Sequence, residues 1–198
     1  MFDLLYSTRP TPNANPLINA DLEDGTTGWE SSDGAAIVAN TAQFHGGATS
    51  LHVISRPTNL FGVEQEITGA IASGAAYDIE VWVKRGGAQP IDIVPVIRTE
   101  SVDSVTQDHT GGSVSIGDAW TKVSVTITPT WTGTLNAAYL KIKTSSGTSP
   151  FYVDDVSIRS SNFAYVTRIG IALQVGKDAW SRVQTAVPIL NAPVVASP

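Results

Sequence analysis

Between Leu17 and Ile158 the chain never sustains one apolar period for long: short runs alternating apolar and polar residues are cut, again and again, by glycine-bearing turns. Alternation at a period of two places apolar side chains on one face of a strand, and breaks this frequent leave no room for helices. The turns fall at Asp24-Gly25, Gly46-Gly47, Ser73-Gly74, Gly86-Gly87, Gly111-Gly112, Gly117-Asp118 and Ser146-Gly147. Nine strands are predicted between them: 17–22, 35–39, 50–55, 62–67, 77–85, 91–99, 120–128, 138–144 and 151–158. In 77–85 the residues Tyr77, Ile79, Val81 and Val83 share one face, with Glu80, Trp82 and Lys84 on the other. Val123, Val125 and Ile127 form a second apolar face, and Leu140 and Ile142 oppose Tyr139, Lys141 and Lys143. The expected fold is all-β, an antiparallel β-sandwich of jelly-roll type, with an extended N-terminal arm and a C-terminal β-hairpin.

The two ends differ from the middle. Residues 1–16 contain Pro10, Pro12 and Pro16, a composition suited to an extended arm. Residues 160–198 carry two similar segments fourteen residues apart, Thr167 to Val175 and Ser181 to Ile189, about the turn Gly176-Lys177-Asp178. They read as a β-hairpin, which is marginal alone and calls for something to pack on. The expected organisation is therefore an arm (1–16), a sandwich (17–159) and a hairpin tail for packing or assembly (160–198).

Charge and motif content narrow the function. Charged residues make up 15% of the chain and the net charge is −6, with no Lys or Arg run, so a nucleic-acid backbone meets no basic footprint. No apolar stretch approaches membrane-spanning length, and neither nucleic acid nor membrane is an expected partner. His45, His52 and His109 are scattered, there is no cysteine, and no nucleophile elbow or phosphate loop occurs. The chain is expected to be non-catalytic.

Five segments in order carry a family resemblance: 17–29 (Leu-Ile-Asn-Ala-Asp-Leu-Glu-Asp-Gly-Thr-Thr-Gly-Trp), 47–51, 77–84, 117–122 and 151–158 (Phe-Tyr-Val-Asp-Asp-Val-Ser-Ile). Together they resemble carbohydrate-binding modules of families 4, 9 and 22, over about residues 17–159. That resemblance implies a jelly roll with a structural Ca²⁺, for which Glu23 and Asp155 match the ligand positions and Asp154 is the alternative. It also implies a sugar surface in which an arginine-then-aromatic loop finds Arg56 and Phe61, followed by Glu64 and Gln65. In Phe61 the usual tryptophan is replaced by a smaller ring. Trp82, Arg98 and Tyr139 are candidates to extend that surface, as a place for glycan or for a protein partner. Trp29 and Trp120 are expected to pack in the core, and Trp131, in a loop, to meet something else.

Two functions follow. The first is a virion surface component, a phage capsid decoration or tail protein, whose arm and hairpin grip other subunits of a homo-oligomer or of the capsid and tail. It draws on the missing export signal, the Pro-rich arm and the unsupported hairpin. The alternative is a carbohydrate-binding module of an extracellular polysaccharide-degrading enzyme.

Overall fold

The computed structural model describes residues 14–103, 105–161, 171–174 and 180–183. Two antiparallel sheets face each other across one apolar core, the jelly-roll sandwich that the alternation predicts. The larger sheet runs β1 (Glu30–Ser32), β4 (Gly62–Glu66), β10 (Leu135–Ser146), β6 (Ile91–Ser101) and β7 (Thr106–Thr110), with β8 (Val114–Ile116) also on β6. The smaller runs β2 (Ala36–Asn40), β3 (Ser50–Ile54), β11 (Phe151–Ser160), β5 (Tyr77–Arg85) and β9 (Thr121–Ile127). The long central strands β10 and β11 follow one another in sequence and cross from one sheet to the other.

The inner faces are those the sequence indicates. Tyr77, Ile79, Val81 and Val83 of β5 meet Leu140 and Ile142 of β10 in the core, together with Leu51, Val53, Phe151, Val153 and Ile158. Burying each such side chain contributes roughly 2 kcal/mol against the entropy of ordering the chain. Trp29 is buried at the edge and its indole N–H donates to the Asn19 carbonyl at 3.0 Å.

Three departures have physical causes. The predicted strand 17–22 is a series of turns: Asn19 and Leu22 take positive φ (48° and 58°), and the Leu22 N–H closes back on the Asn19 carbonyl. Its apolar residues Leu17 and Leu22 still reach the core, but from a coil. Strands β1, β7 and β8 lie outside the predicted set, because they are short and β7 (Thr-Gln-Asp-His-Thr) is polar throughout. Trp120 is not a core residue; it lies 6.4 Å from the Tyr152 ring, on the outside of the smaller sheet.

Of the arm, residues 14–16 are described, and Asn15 ties them down. Its Nδ2 donates to the Val156 carbonyl (2.8 Å) and its Oδ1 accepts from the Ile158 N–H (3.2 Å). The rest of the arm lies outside the described residues. The chain divides into two units, 1–162 and 163–198. In the second, β12 (Ile171–Gln174) pairs antiparallel with β13 (Trp180–Val183), Gln174 opposite Trp180.

Candidate functional site

Register brings four strands' worth of polar residues together on the outer face of the larger sheet. Leu140 and Ile142 point inward, so Tyr139, Lys141 and Lys143 point out, and pairing sets their neighbours. One row reads Glu66, Tyr139, Arg98 and Asp108 across β4, β10, β6 and β7. The next reads Glu30, Glu64, Lys141, Val96 and Thr110. Three of the residues singled out from sequence, Glu64, Arg98 and Tyr139, therefore belong to one side of the sandwich.

An ion network holds this face. Lys141, fully buried, donates to Asp33 Oδ2 at 2.8 Å and lies 3.2 Å from Glu64 Oε2. Arg98 grips Asp108 through Nε and Nη2 (2.7 and 3.1 Å) and reaches Asp33 at 3.7 Å, while Lys143 donates to Asp108 at 3.2 Å. The Arg98 hydrogen bond, reinforced by Lys143, holds the Asp108 carboxyl down at about 2. For Asp33, burial acts to raise the pKa, but hydrogen bonds from Lys141 and Ser32 and the nearby charges carry it below the usual value. Asp33, Asp108, Lys141 and Lys143 are absent from the sequence-derived set. Alternation puts the lysines outside, but nothing in a single sequence shows that the Asp33-Gly34 turn and the polar strand β7 supply their partners.

The network leaves Tyr139 half-exposed in its middle. Burial, followed by the surrounding carboxylates of Glu100, Glu66, Glu64 and Glu30, raises its hydroxyl pKa. Farther along, an open depression of about 330 Å³ is lined by Leu60, Val94, Thr110 and Lys143. The face thus offers an aromatic ring, an apolar floor and fixed hydrogen-bonding groups, the components a pyranose chain requires.

The remaining candidates have other places. Arg56 is a buried brace rather than a surface group: its guanidinium donates to the Phe61 carbonyl at 2.9 Å, the Ser149 carbonyl and Thr144 Oγ1, and lies 4.8 Å from the Phe151 ring centre. Burial pushes its pKa down to about 10. Phe61 is half-buried against the core, its ring over Gly34. Gln65 points inward, where its amide accepts from the Ile18 N–H and donates to the Ile18 carbonyl (2.7 and 2.9 Å). Trp82 lies on the opposite side of the sandwich, paired with Asp154 and stacked on His45 at 3.8 Å.

Glu23, Asp154 and Asp155 come together on the loop 41–49. Consecutive strand residues point to opposite faces, but a bulge between Asp154 and Ser157, with Asp155 at φ 46°, turns both aspartates toward this loop. Asp154 Oδ2 accepts from the N–H groups of His45 and Gly46 (2.7 and 3.2 Å), and Asp155 Oδ2 meets His45 Nδ1 at 2.6 Å. Glu23 accepts from Ala48 and Thr49. Burial raises the pKa of Asp154, against the three N–H groups that lower it. Hard oxygen donors of this kind suit Ca²⁺. As arranged they are engaged by N–H groups, and among the described residues no three His, Cys, Asp or Glu side chains are grouped as metal ligands.

Residues 14–150 match the family model described as "Carbohydrate binding domain". The chain belongs to this family. Its sandwich is thus a carbohydrate-binding module, a non-catalytic domain, in agreement with the missing catalytic motifs. Two relatives are 26% identical over 155 residues, 76% of this chain: exoglucanase XynX of Acetivibrio thermocellus and endo-1,4-beta-xylanase A of Thermoanaerobacterium saccharolyticum. The aligned part is 14% and 13% of their lengths, so the module corresponds to a small part of each. Among solved structures, the CBM22-1 xylan-binding domain of Paenibacillus barcinonensis Xyn10C superposes with a TM-score of 0.63 at 20% identity, covering 71% of this chain and 90% of that one. Tailspike protein 4 of bacteriophage CBA120, in its enzymatically active domain, shares the fold at a TM-score of 0.53 and 15% identity, covering 74% of this chain and 21% of that one.

Proposed function

We propose that this module binds a neutral-backbone plant polysaccharide of the xylan or β-glucan type across the outer face of the larger sheet, anchoring to it the protein of which it is part. The observation that carries the reading is the row Glu66, Tyr139, Arg98 and Asp108, an aromatic ring between fixed hydrogen-bonding groups, on a sandwich of a carbohydrate-binding family. Tyr139 supplies the ring against which a sugar lies, and the engaged carboxylates and guanidinium bond its hydroxyls without having to be ordered first. The extracellular enzyme setting, the second of the two sequence-based readings, is supported by the relatives named above. The virion reading draws only the tailspike likeness, which is one of fold. Affinity electrophoresis through xylan, glucan and mannan gels tests the proposal: retardation by xylan or glucan is expected, and unimpeded migration in all three overturns it.

We further propose Ca²⁺ as an ion for the loop 41–49, with Glu23 and the Asp154 and Asp155 pair as oxygen donors. The buried Asp154 carboxylate has no Lys or Arg partner among the described residues, and a cation would offset its repulsion with Asp155. Chelator is expected to lower the melting temperature and Ca²⁺ to restore it; a melt unmoved by both removes the ion.

A further inference from the structure

The charges on the outer face of the larger sheet do not balance, and the surplus gathers around Tyr139. The three cations that the described residues place on it are committed: Lys141 to Asp33 and Glu64, Arg98 to Asp108 and Asp33, and Lys143 to Asp108. Three carboxylates remain without a Lys or Arg partner among the described residues, those of Glu30, Glu66 and Glu100. Glu66 stands directly opposite Tyr139, Glu100 lies on β6 opposite Ala137, two residues back along β10, and Glu30 lies opposite Glu64. The partly buried tyrosine sits among these acids, and its hydroxyl registers their field.

A carboxylate accepts hydrogen bonds but donates none, so it welcomes the hydroxyls of an uncharged sugar. A uronic acid branch brings a second carboxylate to the same place, with no free cation among the described residues to receive it and a like charge to meet it. We propose that this face selects glycan chains of uncharged sugars and turns away those bearing uronic acid groups, with Glu30, Glu66 and Glu100 as the residues that discriminate. The inference rests on the reading of this face as the glycan site and adds the property by which it chooses.

Calorimetry of the full chain can isolate charge from shape with three ligands: a neutral xylo-oligosaccharide, the same oligosaccharide carrying one glucuronic acid branch, and the methyl ester of that branched form. At low salt the acid is expected to bind about fivefold more weakly than its ester, a like-charge effect of roughly 1 kcal/mol. The gap is expected to close near 1 M NaCl, where the screening length is about 3 Å, and in the double variant Glu66→Gln, Glu100→Gln. Equal binding of acid and ester at low salt, with the neutral ligand bound, overturns this inference and leaves the glycan site standing. So does an equal loss for both branched forms, which would be steric. If none of the three binds, both readings fall.

Discussion

The two outer faces of the sandwich are built from the same alternating strands, yet they end in opposite states. On the smaller sheet the aromatic side chains are turned on one another: Trp82 stacks on His45 at 3.8 Å, His52 on Tyr152 at 4.2 Å, and Trp120 lies beside both His45 and Tyr152. The loop 41–49, held by Glu23, Asp154 and Asp155, brings His45 into that cluster. On the larger sheet the cations Arg98, Lys141 and Lys143 are paired with Asp33, Glu64 and Asp108, and Tyr139, half-buried like Trp82, Trp120 and Tyr152 of the other face, stands between Glu66 and Arg98. Aromatic content and the proposed glycan face therefore lie on opposite sheets.

The largest way to break this contrast is to remove the cation at the centre of the network. Lys141→Met leaves Asp33 and Glu64 without their shared partner and is expected to cost about 3 kcal/mol, the low end for a broken buried pair because both carboxylates keep some water. Urea denaturation measures it; a loss under 1 kcal/mol would mean that the network is ornamental. Arg56→Lys follows, at about 2 kcal/mol, because an ammonium cannot reproduce the planar fork that serves Phe61, Ser149 and Thr144. Its glycan affinity should stay unchanged, as befits a brace.

A sharper comparison exchanges one aromatic from each face. Trp82→Ala is expected to lower stability by about 2 kcal/mol through lost burial and the lost His45 stack, with polysaccharide retardation intact. Tyr139→Ala is expected to do the reverse, weakening binding about tenfold, or 1.4 kcal/mol, with little change in the melt. The opposite pattern would move the site to the other sheet.

Much of this architecture is legible in the sequence, and the limits are specific. Alternation in 77–85 and 138–144 fixes the inner faces because one side of each strand is mainly apolar, whereas the neighbourhood of Arg98 and Tyr139 comes from the pairing of β6 with β10, which alternation does not show. Alternation fails at Leu17–Leu22, where apolar residues at turn positions mimic a strand, and the resemblance, which implies a sugar surface with Gln65, does not show that the inward amide serves the Ile18 backbone. Arg56 shows a different limit: a guanidinium in a loop looks like a ligand contact until its three acceptors are seen. The Asp33, Asp108 and Lys141 network is not legible in the sequence, since its members lie far apart in the chain and are joined only by the order in which strands pair. Glu23, Asp154 and Asp155, which the resemblance names as ligand positions, each accept hydrogen bonds from the loop 41–49.

The smallest predicted effect is an acid limb that belongs to the larger sheet's outer face. Asp108 has its pKa lowered from 3.8 to about 2, first by the Arg98 hydrogen bond and then by Lys143. A carboxyl with a depressed folded-state pKa contributes stability that is present above its unfolded value and lost as the pH falls through the folded one. The loss should therefore fall between about pH 4 and pH 2. Because the group is partly open to solvent, screening reduces its contribution to about 1 kcal/mol. Asp108→Asn should make the protein less stable at neutral pH by that amount and flatten the decline over this window, so that the two proteins converge near pH 2. Parallel curves from pH 5 to pH 2 would show that Arg98 and Lys143 gain nothing from the charge on Asp108, and the network would then owe its order to Lys141 alone.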